Sequence, residues 1–324
     1  MFGEFELIER FLKPAPAALD RGVALGGGDD AALLIPQAGF ELAVSVDTSN
    51  ADVHFPSDAP AKAIGHRALA VALSDLAAMG ARSRWCLMAL TTLGGAFEDE
   101  AAAACWLEGF GRGFHALCDR HQTVLAGGDV TRGPLGISVT VMGEVPKGQA
   151  LTRAGARPSD LIAVTGALGG GAGGLALWQR GERDLAHPLL KRYLLPEPRL
   201  EAGIALRGIA SAALDISDGL LADLGHLRQA SNVGAELDMD ALPTAEGLIE
   251  ALGEEQAQAA MLGGGDDYEL LVTLAPGELE KAQKALAAVG LALSVIGRCC
   301  EAPGVYGVPA DAAPGWQHFH RGRP

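Results

Sequence analysis

The chain has 324 residues and a mass of 33.3 kDa, a length that predicts about two domains, each able to bury its own core. Hydrophobic residues make up 49% and charged residues 20%, a balance that argues against disorder. The formal net charge of -15 argues against a nucleic-acid-binding protein, because phosphate backbones attract basic surfaces.

The cysteines and the apolar runs restrict the class further. The number of cysteines is odd and none forms a C-x-x-C pair, which argues against a disulfide framework or a structural zinc site; they are Cys86, Cys105, Cys118, Cys299 and Cys300. The acidic N-terminus MFGEFELIERF does not fit a signal peptide, and no stretch of about 18 uninterrupted apolar residues predicts a membrane helix. The expectation is a cytoplasmic protein that does not bind membranes.

The first half of the chain mixes predicted strands and helices. After an amphipathic helix at 5–13 and a glycine turn at 26–30, the predicted strands are 31–36, 41–47, 84–92, 122–126 and 135–145. The second of these strands is expected to end on Asp47, and the last two to flank a turn that contains GGDVTRG. The predicted helices are 58–80 and 97–120, the latter opening with acidic residues that suit a helix N-terminus.

Turn-forming residues at 146–160 predict a boundary between domains 1–147 and 148–324. The second half has predicted strands at 161–166, into 215–220, at 268–274 and at 293–299. Its predicted helices end near 180 and 231 and span 277–289, while 184–208 is expected to be helical with proline breaks. A polar loop is expected after 231, and a second glycine turn is expected at 263–267.

One internal echo joins the two halves. GGGDDAALL at 26–34 and GGGDDYELL at 263–271 share seven of nine letters, and each leads from a glycine turn into a predicted strand. Two halves of related topology would explain the echo, and so would chance in a chain with 44 glycines.

Several aspartates fall at predicted strand ends or turns, and Asp75 lies inside the apolar helical stretch VALSDLAAMG. A single aspartate at such a place is usually a turn former or a helix cap. Several that converge from different strands would repel one another without cations, and carboxylates are the hard ligands that Mg²⁺ prefers. The set, with Asp75 and the paired DISD at 215–218, predicts a metal site.

The glycine run at 166–174 has three possible meanings. Gly169, Gly171 and Gly174 match G-x-G-x-x-G between a strand and a helix, but no clean second strand ends in an acid about 20 residues later, as a dinucleotide fingerprint requires. An anion-binding turn at a helix N-terminus and a tight packing turn without a ligand are the other two interpretations.

Other catalytic motifs are absent from the sequence, and two basic residues stand out. The chain has no P-loop, no protein-kinase motif set, no G-x-S-x-G elbow and no H-E-x-x-H. His54, in the loop DTSNADVHFP, and Arg153, in LTRAGARP, are candidates for phosphate contacts, or else an exposed spacer and an ordinary surface arginine.

Nine motifs in order resemble the thiamine-monophosphate kinase family, of the superfamily that includes aminoimidazole ribonucleotide synthetase. They are GDDAA (28–32), VDTSNADVHF (46–55), ALSDLAAMG (72–80), GGDVTRGPL (127–135), LTRAGARPSD (151–160), VTGALGGGAGGL (164–175), LDISDGLLADL (214–224), GGGDDYELL (263–271) and GWQHF (315–319). The resemblance covers essentially the whole length, and the order of the motifs makes it specific.

The resemblance implies three groups of site residues. The positions implied to hold several Mg²⁺ ions are Asp30, Ser45, Asp47, Thr48, Asp75, Asp129, Asp215 and Asp218. Those implied for ATP are Gly128, Asp129, Arg153 and Ser217, and those for the thiamine phosphate are His54, Asp266 and Trp316. The sequence departs from the family at Asp266, where Glu is usual, and at Ser45, where Thr is frequent.

The resemblance also implies the fold, the assembly and the reaction. It implies an α/β fold with an N-terminal α/β domain that pairs with its twin in a homodimer and a C-terminal α+β domain. The implied reaction transfers a phosphoryl group directly from ATP to thiamine monophosphate, with Mg²⁺ and without a phosphoenzyme. Since the acceptor phosphate is already ionised near neutral pH, positioning and charge stabilisation are expected to supply the catalysis without a general base.

Other functions stand as alternatives to this interpretation. A selenophosphate synthetase or a purine-synthesis enzyme shares the superfamily, but the N-terminal glycine-rich region has no cysteine and the GWQHF tail is kinase-like. A nicotinamide-dependent oxidoreductase would follow from the glycine run, and a non-catalytic maturation protein would bind Mg²⁺ and nucleotide without turnover.

Overall fold

A computed structural model describes residues 21–92 and 99–316. The chain divides into two units: Met1–Leu76 with Ala81–Gly148, and Ala77–Gly80 with Gln149–Pro324. The predicted helix at 5–13 and the tail beyond Trp316 lie outside the described residues.

The first unit is built on a four-stranded sheet. Its strands are β3 (Phe40–Asn50), β4 (Arg82–Thr92), β5 (Val124–Arg132) and β6 (Gly136–Pro146), in the order β3-β6-β4-β5. The β4–β5 pair is parallel and the other pairs are antiparallel. A separate antiparallel pair, β1 (Val23–Leu25) and β2 (Leu33–Leu34), precedes the sheet. This arrangement leaves β3 and β5 as the edge strands of the four-stranded sheet.

Two long helices accompany this sheet, as the sequence predicts. Helix α1 (Ala61–Ala78) is buried along nearly its whole length, as expected of a helix that is apolar on most sides. Helix α2 (Glu100–Arg120) begins after Asp99, whose side chain accepts a hydrogen bond from the backbone N–H of Ala102 at 2.8 Å. The predicted acidic start of this helix is therefore a side-chain cap.

The second unit is built on a six-stranded sheet in the order β12-β9-β11-β7-β10-β8. Its strands are β7 (Leu161–Thr165), β8 (Ala212–Asp215), β9 (Gly234–Leu237), β10 (Leu270–Leu274), β11 (Leu293–Cys300) and β12 (Val305–Tyr306). Only the β12–β9 pair is parallel. Strands β7 and β10 are buried at every position, so the core of this unit runs through the middle of the sheet.

Seven helices of the second unit fall within the described residues. They are α3 (Gly170–Gln179), α4 (Pro188–Leu194), α5 (Leu200–Ala205), α6 (Leu220–Ser231), α7 (Leu248–Leu252), α8 (Glu254–Gly263) and α9 (Leu279–Ala287). The mixed architecture confirms the predicted α/β class. Among residues 21–92 and 99–316, no helix combines the length and apolarity needed to cross a membrane.

Three local predictions were wrong. Strand β3 continues through Asp47 to Asn50, and β5 continues through GGDVTR to Arg132, so Asp47 and Asp129 lie inside strands. Of the strand predicted at 31–36, only Leu33–Leu34 forms. The segment expected as a polar loop after 231 contains β9, α7 and α8.

Candidate functional site

In the first unit, part of the predicted metal set lies between β3 and α1. Ser45 and Asp47 are half-buried, and residues two apart in a strand share a face. The hydroxyl of Ser45 donates a hydrogen bond to Oδ2 of Asp75 on α1, at 2.5 Å. The structure therefore brings Ser45 and Asp75 together and places Asp47 on the same side of the sheet.

Thr48 and Asp129 lie on the opposite side of the sheet. Strand register places Thr48 opposite Ser138, Ser138 opposite Ala89, and Ala89 opposite Asp129, so one row crosses all four strands. Thr48 and Ser138 share a hydroxyl hydrogen bond of 2.7 Å, and Thr48 and Asp129 are exposed. The first-unit metal candidates therefore divide between two faces, because side chains alternate along each strand.

Asp30 lies in the exposed glycine turn that joins β1 to β2. Its backbone N–H donates to the carboxylate of Asp29 at 2.8 Å. A methyl group built on Gly27 would lie 3.9 Å from the Cα of Gly127, so the turn passes close to β5 just before Gly128 and Asp129. Gly128 is needed there because its Cβ would lie 1.9 Å from the backbone oxygen of Met88.

His54 is held in a defined orientation by its own loop and by α1. Its Nδ1 accepts the backbone N–H of Asn50 at 3.0 Å, and its backbone oxygen accepts Nε of Arg67 at 3.2 Å. An imidazole that accepts at Nδ1 carries its proton on Nε2 when neutral. The loop and α1 therefore fix the orientation of the half-buried imidazole of His54.

In the second unit, the loop at 215–219 connects β8 to α6 and carries Asp215, Ser217 and Asp218. Asp215 is buried and lies opposite Leu270 of β10. We call residues 215–219 the DISDG loop.

The DISDG loop also holds both predicted second-unit substrate residues by their backbones. The carbonyl of Ser217 accepts the N–H of Asp266 at 2.8 Å, and that of Asp218 accepts the N–H of Trp316 at 2.9 Å. Asp266 has a φ of +69°, and its carboxylate accepts the hydroxyl of Tyr268 at 2.8 Å. Five predicted residues are thus gathered around one loop: Asp215, Ser217, Asp218, Asp266 and Trp316.

A third carboxylate, Asp223, lies beside this loop in the first turn of α6. Burial and then the negative charges of Asp215 and Asp218 raise the pKa of Asp223 to about 7, although hydrogen bonds from the loop backbone act in the opposite direction. The loop therefore concentrates negative charge, an environment that favours a cation.

The glycine run at 166–174 is occupied by a side chain of the protein itself. The backbone N–H groups of Gly169 and Gly171, at the start of α3, donate to the carboxylate of Asp267 at 2.7 and 3.1 Å. Burial raises the pKa of this carboxyl to about 7, against the effect of those two hydrogen bonds. Among the three possible meanings of the run, the structure favours the packing turn over a phosphate-binding turn.

The contacts of the same glycines agree with this interpretation. A Cβ on Gly171 would lie 2.4 Å from the backbone oxygen of Asp266, and one on Gly174 would lie 2.2 Å from that of Leu189. These glycines are needed because backbone packs directly against them.

Arg153 lies at the other end of α6 from the DISDG loop. The hydroxyl of Ser231, the last residue of α6, donates to the backbone oxygen of Arg153 at 2.9 Å and accepts the N–H groups of Gly155 and Ala156, each at 3.1 Å. A helix of 12 residues is about 18 Å long. The structure therefore does not place the backbone of Arg153 beside Ser217, and any joint contact with a nucleotide has to span this distance.

Comparison with known proteins shows the family to which this chain belongs. The family model for the N-terminal domain of AIR synthase related proteins matches residues 28–145, and the model for the C-terminal domain matches 157–308. Thiamine-monophosphate kinase from Salmonella typhimurium is 43% identical over 301 residues, which are 91% of this chain and 90% of the relative. The chain belongs to the thiamine-monophosphate kinase family.

Solved structures of family members have the same fold. Thiamine-monophosphate kinase from Stenotrophomonas maltophilia superposes with a TM-score of 0.82 at 47% identity, covering 93% of this chain and 98% of that one. A structure described as "AaThiL complexed with AMPPCP and TMP" has a TM-score of 0.77 at 30% identity, with coverage of 88% and 89%.

Three further residues of the second unit bond to the backbone of loops that lie beside the predicted candidates or carry them. Asp223, Ser231 and Asp267 each bond two or three backbone groups of a neighbouring loop, and the sequence predicted none of these contacts. One signal was available for Asp223, since it lies in an apolar helical stretch, LLADL, as Asp75 does in its own helix.

Proposed function

We propose that this chain, as a thiamine-monophosphate kinase, transfers the γ-phosphoryl group of ATP to thiamine monophosphate. A phosphate oxygen of the acceptor attacks the γ-phosphorus and the bond to ADP breaks, giving thiamine diphosphate and ADP. The observation that carries the proposal is the DISDG loop, where candidate residues for metal, nucleotide and substrate meet within a chain similar to these kinases along 91% of its length.

The residues present fit Mg²⁺ as the accompanying ion. Within the described ranges, no group of three or more His, Cys, Asp or Glu side chains is arranged to hold a metal ion alone. Mg²⁺ usually takes one or two protein carboxylates and completes its shell with water and substrate phosphates. Asp215 and Asp218 in the second unit, and Asp47 and Asp75 in the first, supply such oxygens. Bound Mg²⁺ would neutralise charge on the reacting phosphates.

The remaining candidates would orient the two polyanions. The guanidinium of Arg153 suits bidentate contact with ATP phosphate oxygens, and the resemblance assigns His54 to the acceptor phosphate. The indole of Trp316, with about half of its surface exposed, suits stacking on the cationic thiazolium. No general base is needed, since the second pKa of the acceptor phosphate is about 6.

Asp47→Asn tests the role of the carboxylates. The variant removes one negative charge at nearly constant volume, and we expect kcat at saturating Mg²⁺ to fall by about 100-fold, the size of effect seen when one preorganised electrostatic contact is lost. A coupled assay for ADP with thiamine monophosphate as acceptor measures it. Asp119→Asn, an exposed aspartate on α2, is the matched control. A kcat near that of the control would show that Asp47 has no such role.

We also propose that a second copy of this chain covers the exposed side of β3. Leu42, Val44 and Val46 point outward along this edge strand with 45%, 57% and 60% of their surfaces exposed. An 11-residue edge strand with an apolar face is a ready template for pairing, and an antiparallel copy would match it by two-fold symmetry.

Light scattering of the full chain tests this assembly. We expect the mass of a dimer, and a shift toward the monomer in Val44→Lys, because the lysine would place a charge within the covered face. Val289→Lys, at an exposed position of the second unit, should leave the mass unchanged. A monomeric unmodified chain would refute the proposal.

A further inference from the structure

The backbone of the DISDG loop is hydrogen-bonded to the side chain of Asp223. A single oxygen of this carboxylate, Oδ2, accepts the backbone N–H groups of Ser217, Asp218 and Gly219, each at 3.1 Å. Asp223 is buried, and its own backbone N–H donates to the carbonyl of Gly219. Three consecutive loop amides are therefore tied to one point in the first turn of α6.

The opposite side of the loop is tied to the segments that carry the substrate candidates. Its carbonyls at Ser217 and Asp218 accept the N–H groups of Asp266 and Trp316. Gly219 has a φ of +116°, and its Cβ would lie 2.9 Å from the carbonyl carbon of Gly263, so the loop also packs against the start of the second glycine turn. A shift of the loop would move every one of these contacts.

We infer that Asp223 is a positioning residue, which fixes the DISDG loop so that Asp218, Asp266 and Trp316 hold their relative places. The inference rests on the proposed function for the identity of the ligands. In this role Asp223 acts through its Oδ2, which accepts hydrogen bonds from three loop amides, and ligation of the metal is the competing role.

Two variants separate these two roles. Asp223→Asn keeps an acceptor oxygen for the amides and removes the charge, whereas Asp223→Ala removes both. A positioning residue tolerates the first change and not the second, because the amides need an acceptor. A metal ligand loses function in both, because the negative charge is what Mg²⁺ requires.

Asp160→Asn is the matched control. Asp160 is a buried aspartate of the same unit that accepts the N–H of Arg157 at 3.0 Å and the hydroxyl of Ser211 at 2.6 Å. It precedes Leu161, which pairs with Leu274, whereas Asp215 lies opposite Leu270. Asp160 is therefore at the far end of the sheet, about 13 Å away by strand rise, and reports the cost of altering a buried carboxylate there.

The experiment measures binding and turnover in the full chain. A fluorescent ATP analogue is titrated at increasing Mg²⁺, and KM for thiamine monophosphate is measured separately from kcat. We expect Asp223→Ala to raise both the Mg²⁺ concentration for half-maximal binding and KM by about 10-fold, and Asp223→Asn to stay within about 3-fold of the unmodified chain. Asp160→Asn should change neither quantity, even if its Tm falls.

Two results would overturn the inference. Equal losses in the Asn and Ala variants would make Asp223 a charge-dependent ligand, and an Ala variant that matches Asp160→Asn in both quantities would show that the loop does not depend on it. If the Ala variant does not fold, Asp223→Ser replaces it, because the shorter hydroxyl cannot reach the three amides. An unmodified chain that binds the nucleotide with Mg²⁺ and yet does not phosphorylate thiamine monophosphate would refute the proposed function, and the binding comparison would still test Asp223.

Discussion

The two GGGDD turns share five letters and differ in almost every physical respect. In the first, Gly27, Gly28, Asp29 and Asp30 are all exposed, and Leu33 beyond them keeps 57% of its surface exposed. In the second, the residues from Asp267 onward are buried, and the leucines after them form the fully buried strand β10. The same letters therefore make an open turn in one unit and part of the core in the other.

The difference arises from the residues next to the shared letters. The first turn is followed by Ala31 and Ala32, whose side chains have no polar group. The second turn is followed by Tyr268 and Glu269. The buried carboxylate of Glu269 accepts hydrogen bonds from Arg199 at 2.6 and 2.8 Å, from Arg192 at 3.2 Å and from Thr165 at 2.8 Å. This network joins β7, α4, the start of α5 and β10, whereas the first turn has no counterpart to Glu269.

Aspartates at the same motif position consequently have different structural roles. Asp30 and Asp267 hold the same place in the motif, and only Asp267 caps a helix start through two backbone N–H groups. A motif match can thus transfer a residue type without transferring its role, because the role depends on partners that are distant in the sequence.

The largest expected effect comes from Glu269→Ala. Removing the carboxylate leaves two partly buried arginines without their shared partner, and we expect the free energy of unfolding to fall by about 3–5 kcal/mol. Urea denaturation measures the loss. Asp30→Ala, in the exposed turn, should change the same quantity by no more than about 0.5 kcal/mol.

Glu269→Gln sharpens this test. The amide keeps an acceptor for Thr165 and loses the charge. The free energy of unfolding of Glu269→Gln should therefore lie between those of the unmodified chain and Glu269→Ala. If Glu269→Ala proved as mild as Asp30→Ala, the contrast between the two turns would not extend to their energetics.

The periodicity of apolar residues and the signals at helix ends were sufficient to predict the long helices from the sequence. Helix α1 repeats apolar residues every three or four positions, and α2 opens with the acidic run that includes its cap, Asp99. The predicted ends of the strands that carry Asp47 and Asp129 were wrong, because both strands continue further along the chain. Glycine and aspartate normally mark turns. In β5, however, Gly128 permits close packing on β4, and Asp129 lies on an exposed face of the strand, where an aspartate is tolerated.

The sequence predicted candidate ligand-binding residues but not the hydrogen bonds that connect them. The resemblance identified Asp215, Asp266 and Trp316, and the structure gathers them around one loop. The motifs include Asp223 and Asp267, but the partners of these two carboxylates could not be inferred, because the partners are backbone amides. Such contacts carry no side-chain signature: the amides that Asp267 binds lie 96 and 98 residues away.

The smaller expected effect concerns pH and the two equivalent aspartates. Burial raises the pKa of Asp267 to about 7, whereas an aspartate in the unfolded chain titrates near pH 4. Between these values the folded chain holds a proton that the unfolded chain has lost, so the contribution of Asp267 to stability is full below about pH 4 and falls as the pH rises toward 7. Asp267→Asn removes this contribution, and the decline in stability between pH 5 and 7 should become shallower by up to about 1.4 kcal/mol per pH unit.

Urea midpoints at pH 5, 6 and 7 measure these slopes, with Asp30→Asn as the matched control. Asp30 is exposed in the first turn, so its variant should follow the slope of the unmodified chain. Asp223 contributes a similar decline in all three proteins, and the comparison of slopes therefore isolates Asp267. Equal slopes for Asp267→Asn and Asp30→Asn would mean that Asp267 is ionised in the folded chain across this range. In that case its two N–H bonds would outweigh its burial, and the second turn would be electrostatically closer to the first than its burial indicates.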